Sequence, residues 1–215
     1  MEIIELMKER HSVRQYTDKK IEKEKREVLN ALIAKINQKA GLHIQIIYDE
    51  PKCFNLMMAH YGKFDGVNNY IALVREKSKP DEALGYYGEQ IVLKAQELGL
   101  NTCWVAMTHG KSKAQIDKGE KLVCLISLGY GKTAGAAHKS KKLSEVCNYK
   151  KDMPEWFLSG MEATLLAPTA MNRQKFYFEL LPDNSIKITC GKGLYTKLDL
   201  GIVKYHFEVV SGKRI

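Results

Sequence analysis

A chain of 215 residues, 45% hydrophobic and 27% charged, is ordinary for a folded soluble protein and long enough for one domain or two small ones. Its longest apolar runs, such as residues 122–128, fall far short of the ~20 residues that span a bilayer, and Glu2 and Glu5 stand where a signal peptide would be basic and then apolar. A cytoplasmic location with no membrane partner is therefore expected, and the net charge of +9 suits anionic partners such as nucleotides, cofactor phosphates or RNA.

In chain order, Ile3, Ile4, Leu6 and Met7 predict a short amphipathic helix ending near Arg10. Val28, Leu29, Leu32, Ile33 and Ile36 follow helical spacing, with Gly41 as the stop. Residues 42–48 read as a strand, 51–65 as an irregular stretch and 70–75 as a second strand. A long helix is expected from about Pro80, a good first-turn residue, to Gly99, a good cap. Residues 102–106 and 122–128 read as two further strands, joined by a polar connection around Lys111. Residues 154–167 predict a helix stopped by Pro168, and residues 175–181 and 185–190 a hairpin around Pro182-Asp183-Asn184. Leu198, Ile202, Val203 and His206 predict a closing helix to about Gly212, although residues 206–210 also suit a strand. The order helix–strand–strand–helix thus occurs twice, over 25–99 and 154–212.

Cys53, Cys103, Cys124, Cys147 and Cys190 are scattered and form no Cys-x-x-Cys pair, which points to free thiols. The histidines are equally dispersed, and no metal is expected. Gly129-Tyr130-Gly131 lacks the third glycine and acidic partner of a dinucleotide turn, and Gly131-Lys132-Thr133 lacks the first glycine of a phosphate-binding loop.

Four segments carry the candidate chemistry. Arg10-His11-Ser12-Val13-Arg14 puts two arginines and a hydroxyl straight after an apolar helix. That set suits an anionic, hydroxyl-rich ligand, because guanidinium forks match phosphate and serine can donate or accept; the same cations also suit a plain helix C-terminus. The others are Ala167-Pro168-Thr169-Ala170-Met171-Asn172-Arg173-Gln174, Leu98-Gly99-Leu100-Asn101-Thr102-Cys103-Trp104-Val105 and Leu128-Gly129-Tyr130-Gly131. Together they resemble the nitroreductase family of FMN-dependent oxidoreductases. The first resembles its Arg-x-Ser-x-Arg signature, the second its Ala-Pro-Ser-x-x-Asn-x-Gln signature with Thr169 for serine. The third is similar to its Leu-Gly-Leu-Gly-x-x-Trp run and the fourth to its Gly-Tyr-Pro turn.

The resemblance implies an α+β, nitroreductase-like fold with a central mixed or antiparallel sheet flanked by helices. Family members are intertwined homodimers with flavin at the subunit interface. Here the first copy of the repeat lacks the Pro-Ser-x-x-Asn motif and the second lacks a complete Arg-x-Ser-x-Arg. A fused pseudo-dimer is therefore expected, with residues 1–150 as the first half and 151–215 as a shorter half completing a single FMN site. Such a chain binds as a monomer, and further pairing into a homodimer stays open.

By resemblance, Arg10 pairs with the flavin phosphate, Ser12 with the phosphate or ribityl end, and Arg14 lies near the ring's N1 and C2 carbonyl; His11 belongs to the same segment. By the same resemblance Lys139 and Lys141 align with phosphate-gripping basic residues, with His138 beside them in the loop, although the cluster also suits a mobile basic loop. Pro168, Thr169, Ala170 and Asn172 line the dimethylbenzene side and ribityl edge, with Gln174 supporting from behind. Val105, Ala106 and Met107 lie near the ring, whereas Trp104 is more often core. Two departures stand out: His60-Tyr61-Gly62-Lys63-Phe64 offers no match for the polar residue at the pyrimidine edge, and Gln174-Lys175-Phe176 replaces Gln-Pro-Trp.

The implied activity is hydride transfer from NADH or NADPH through flavin N5 to a small nitroaromatic or quinone-like acceptor, in ping-pong turnover with no dedicated catalytic side chain. The alternatives are a flavin-binding or flavin-handling protein without turnover and, more distantly, a basic nucleic-acid module using residues 139–151. No aromatic-rich RNA-binding strand or recognition helix accompanies that charge, so no nucleic-acid partner is expected.

Overall fold

The computed structural model describes residues 2–215, apart from the side chain of residue 58. The elements run α1 (Ile3–Glu9), α2 (Lys23–Ala40), β1 (Gln45–Ile47), α3 (Met57–Tyr61), β2 (Asn69–Glu76), α4 (Glu82–Glu97), β3 (Asn101–Val105) and β4 (Glu120–Gly129). They continue with α5 (Leu143–Val146), α6 (Glu155–Thr164), β5 (Phe176–Leu180), β6 (Ile186–Cys190) and α7 (Thr196–Ser211). Two compact units arise from interleaved segments: a sheet unit of residues 10–79 and 91–137, and a helical unit of residues 1–9, 80–90 and 138–215. This partition follows packing, whereas the expected halves 1–150 and 151–215 follow motifs.

The sheet unit holds a four-stranded sheet in the order β1-β2-β4-β3. Every ladder in it is antiparallel, and parallel pairing enters as isolated bridges such as Ser12 with Thr102 and Gln15 with Asp65. Tyr70, Ala72 and Val74 alternate along β2 toward one face, where Val13, Tyr16, Phe54, Phe64, Val67, Val105 and Leu125 complete a cluster. Ile71 and Leu73 point the other way and are equally buried, so β2 reads as a continuous apolar run covered on both faces. On α2 the stripe Leu29, Ile33 and Ile36 turns inward, and Gly41 ends the helix in the left-handed conformation (φ 59°, ψ 40°).

Two stretches differ from expectation. The strand expected over 42–48 is in ladder only at Gln45–Ile47. Asn37 replaces a strand partner at Ile44, its amide donating to the Ile44 carbonyl (2.7 Å) and its Oδ1 accepting the Ile44 N–H (2.9 Å). The stretch 51–65 is not irregular throughout: a 3₁₀ turn at Lys52–Phe54 and α3 interrupt it. Buried Glu50 organises that turn, accepting the N–H groups of Lys52 and Cys53 (3.2 Å each) and the hydroxyl of Tyr70 (3.3 Å).

In the helical unit α6 packs on α7, with Phe157, Phe178 and Phe207 meeting edge-on or tilted at 5.3–6.2 Å. β5 and β6 form the expected antiparallel hairpin, closed by Asp183, which accepts from the Ser185 N–H (3.0 Å) and hydroxyl. Residues 206–210 are helical, not strand. The first turns of α4 approach α7 through glycines: a Cβ on Gly85 would lie 1.9 Å from the Leu198 carbonyl oxygen, and one on Gly201 1.9 Å from that of Glu82. All five cysteines are free. Among the described residues, no helix is long and apolar enough to cross a membrane.

Candidate functional site

Three of the four motifs converge in the sheet unit. The arginine segment leaves α1 and runs beside β3, with the Val13 N–H on the Thr102 carbonyl (3.0 Å). Tyr16 bridges Gly131, the Thr17 N–H reaches the Tyr130 carbonyl (2.8 Å) and the Lys132 N–H the Gln15 carbonyl (2.9 Å). Glycine is required here: a Cβ on Gly131 would lie 2.8 Å from Val13 Cγ1, and one on Gly135 2.9 Å from His11 Cβ and 3.1 Å from the Ser12 carbonyl oxygen. Tyr130 itself faces away from the segment, hydrogen-bonding Glu22 and accepting from Lys25 (2.7 Å). Its hydroxyl, with Lys19, draws the Glu22 carboxyl down to about 2.

Arg10 is only 3% exposed, with guanidinium Nε and Nη1 fully buried, whereas Arg14 is exposed and His11 and Ser12 are half-buried. A buried guanidinium is not the solvated helix end that the charge alone also allowed. Cys103 lies within the influence of all three polar side chains. Burial pushes its thiol up, against Arg14, Ser12 and Arg10, so it stays protonated and unreactive. Past β3, Val105 is buried, Ala106 half-buried and Met107 exposed. Arg14 is fixed through its backbone, since its carbonyl accepts the Asp65 N–H (3.0 Å) and the Asp65 carbonyl accepts that of Tyr16 (2.9 Å).

The remaining expected residues gather in the helical unit, around Gln174. This buried side chain accepts the Lys141 N–H at Oε1 (2.9 Å) and donates through Nε2 to the Lys139 carbonyl (3.0 Å) and Asn172 Oδ1 (2.9 Å). Asn172 also donates to the Lys139 carbonyl (2.8 Å), and the Thr169 hydroxyl accepts the Gln174 N–H (3.0 Å). The turn 168–174 is thereby stitched to the basic loop, which explains how Met171, Asn172 and Gln174 tolerate φ values of 54°, 53° and 46°. Pro168, Thr169 and Ala170 are half-buried and Asn172 exposed. Lys141 spends its ammonium on the Gln174 carbonyl (3.0 Å), His138 bonds the Leu165 carbonyl (2.9 Å) and the Lys139 side chain is exposed.

The sequence model of the family described as "Putative TM nitroreductase" matches residues 2–211. The chain belongs to this nitroreductase family. Among solved structures, a Thermotoga maritima protein described as a putative nitroreductase is 25% identical, with a TM-score of 0.71 over 98% of this chain and 83% of that one. A Desulfovibrio desulfuricans protein, described as a putative nitroreductase in complex with FMN, shares the fold at 16% identity and TM-score 0.52, over 72% of this chain and 99% of its own. So does a Bacteroides thetaiotaomicron protein described as a putative NADH dehydrogenase/NAD(P)H nitroreductase, at 18% identity and TM-score 0.52, over 67% and 95%. No curated protein matches the sequence.

One residue that holds the second motif escaped sequence reasoning. Asp199, in the first turn of α7, accepts the Ala170 N–H at Oδ1 (2.9 Å); an acidic first-turn residue is so common that it gave no signal. Burial raises its carboxyl to about 6, the Ala170 N–H opposing. The folded state therefore holds this proton more tightly than the unfolded chain between about pH 4 and 6. Its contribution makes stability fall as pH rises through that window and level off above it. Asp199→Asn keeps the acceptor and removes the charge. Thermal melts at pH 4, 5, 6 and 7 should show the variant gaining on wild type as pH rises to 6; parallel profiles would refute the assignment. The fold also brings His43, Asp117 and Glu120 within 4.8 Å of one another, where no motif suggested a cluster. There the His43 Nδ1 and the Asp117 N–H both hydrogen-bond Glu120 Oε2 (2.8 Å each).

Proposed function

We propose that this nitroreductase binds one FMN per chain and acts as an oxidoreductase. The observation that carries the reading is the convergence of Arg10, Ser12 and Arg14 with the segments at 98–105 and 128–131, under glycines that leave room only for backbone. The donor set suits FMN: a guanidinium fork for a dianionic phosphate, hydroxyl and amide groups for the ribityl chain, and an exposed cation for the ring edge. Description of the D. desulfuricans neighbour as an FMN complex supports the cofactor.

In this reading Arg10 neutralises the phosphate, Ser12 holds the phosphate or ribityl end, and Arg14 lies at the pyrimidine edge. Residues 105–107 offer backbone and small side chains to the ring. By resemblance, the second motif contributes Pro168, Thr169, Ala170 and Asn172, in a turn that Gln174 and Asp199 hold within the helical unit. By resemblance, the basic loop contributes Lys139 at the phosphate end. Bound FMN would supply two-electron chemistry, taking hydride from NADH or NADPH and returning it to a nitroaromatic or quinone-like acceptor in ping-pong turnover. A cation at Arg14 favours the negative charge that a reduced ring accumulates.

The test is retained flavin absorbance after FMN loading and desalting, with one FMN per chain expected. Arg14→Ala should weaken FMN binding about ten-fold or lower the bound flavin's reduction potential. No retained flavin and no binding on titration would remove the oxidoreductase reading; wild-type affinity and potential in Arg14→Ala would remove the role given to Arg14. Bound FMN that never oxidises NADH or NADPH would favour flavin handling without turnover.

A further inference from the structure

The group of His43, Asp117 and Glu120 lies within the sheet unit and belongs to none of the four motifs. His43 stands between α2 and β1, its N–H on the Val74 carbonyl (3.1 Å). Glu120 opens β4 in register with Glu76 of β2, and Asp117 begins the turn just before it. Asp117 is exposed, whereas the side chains of His43 and Glu120 are 30% and 13% exposed. The turn that carries both carboxylates is fastened from outside the group. Gln45 of β1 donates its amide to the Gln115 carbonyl (2.7 Å) and accepts the Gln115 N–H at Oε1 (2.8 Å). The Gln115 amide in turn donates to Asp117 Oδ1 (2.9 Å), and the Lys77 N–H to the Gly119 carbonyl (2.9 Å).

The spacing suits a metal ion. One ligand atom from each residue lies within 4.8 Å of the other two, with His43 Nδ1 2.8 Å from Glu120 Oε2. Ligands ~2.1 Å from zinc stand ~3 Å apart at a right angle, ~3.4 Å at the tetrahedral angle and ~4.2 Å when opposite. The three atoms thus need to move by under ~1 Å to enclose such an ion. The charges point the same way. A hydrogen bond between His43 and Glu120 has no need of a second carboxylate, and two carboxylate oxygens this close repel unless a cation joins them. One imidazole nitrogen with two carboxylates suits a first-row divalent ion, whereas calcium and magnesium prefer all-oxygen sets.

We propose that His43, Asp117 and Glu120 bind a divalent first-row transition-metal ion of the zinc type, with water completing the coordination. The ion takes the place of the hydrogen between His43 Nδ1 and Glu120 Oε2. A neutral imidazole then carries its proton at Nε2, and a protonated one releases a proton to solvent. The two carboxylates balance the charge of the ion. Its effect is to clip the segment before β1 to the connection between β3 and β4, which stabilises the sheet unit. This inference goes beyond the FMN reading and does not depend on it.

The experiment titrates untagged, EDTA-treated full-length protein with zinc chloride in a calorimeter and repeats the melt with saturating zinc. One Zn²⁺ per chain should bind and raise the melting temperature. His43→Ala and Asp117→Asn should each weaken binding about ten-fold or more. Without zinc, Asp117→Asn should melt no lower than wild type, because it keeps an acceptor for Gln115 and removes one of the two facing charges. Cobalt(II) in place of zinc should show no thiolate charge-transfer band, which separates this site from the five free cysteines. Absence of binding, a thiolate band, or wild-type affinity in Asp117→Asn overturns the proposal. So does weak binding of several ions per chain that the variants leave unchanged, since that is adventitious surface binding. Should His43→Ala not fold, Asp117→Asn decides, because its side chain is exposed.

Discussion

Gly201→Ala is expected to lower the stability of the helical unit by about 3 kcal/mol or more, the severe end of overpacking. The added methyl would sit 1.9 Å from the Glu82 carbonyl oxygen, 2.6 Å from the Tyr86 nitrogen and 2.9 Å from the Glu82 carbonyl carbon. All three are backbone atoms at the start of α4, so no rotamer change relieves the contact and the helices must move apart. Gly85 makes the reciprocal approach to the Leu198 carbonyl, and Gly85→Ala should behave alike. Gly119→Ala is the control: its Cβ meets nothing within 4 Å, and only the left-handed backbone (φ 94°) opposes it, for about 1 kcal/mol. Urea denaturation followed by circular dichroism checks the three. A Gly201→Ala variant within 1 kcal/mol of wild type would show that α4 and α7 have slack the contact distances deny. Asp199 lies on the same helix, so the variant should also loosen the turn at Ala170.

His206→Leu should cost about 3–5 kcal/mol, the range for breaking a buried pair. His206 and Glu89 are both fully buried, with His206 Nε2 3.1 Å from Glu89 Oε1 and Nδ1 2.9 Å from the Ala163 carbonyl. A carbonyl cannot donate, so Nδ1 donates to Ala163, and Nε2 shares a hydrogen with Glu89 Oε1, so that the ring joins α6 to α4. Leucine fills much of the volume but leaves the buried Glu89 carboxyl without the imidazole. Adding Glu89→Gln removes the carboxyl that faced the imidazole, so the double variant should lose less than the two single losses combined, by at least about 1 kcal/mol. Chemical denaturation of the four proteins forms the cycle. Strict additivity would mean that the two side chains do not stabilise each other.

Much of this architecture was written locally. Ile33 and Ile36 marked the buried face of α2, Gly41 its end, Pro182-Asp183-Asn184 the hairpin, and Pro168 the close of the α6 region, because periodicity and turn chemistry act over a few residues. The motifs at Arg10, Leu98, Leu128 and Ala167 were legible for a related reason: they combine uncommon residue types at short spacings. Less was legible where a partner lay far along the chain. The strand expected from residue 42 was cut short by Asn37, and order in the 51–65 stretch came from Glu50 with Tyr70.

The sequence by itself determined the longer helices and strands, the family resemblance and the residue types available for an anionic, hydroxyl-rich cofactor. Only the tertiary structure decided which of those residues are buried, fastened or exposed. It put the guanidinium of Arg10 inside, spent the Lys141 ammonium on a backbone carbonyl and made Gln174 the hub of its loop. It also recruited Asp199 to Ala170 and left Met57 and Tyr61 facing outward. The physical reason is that helix and turn formation are near-neighbour effects, whereas desolvation and hydrogen-bond satisfaction depend on groups tens of residues away, whose positions no local pattern encodes.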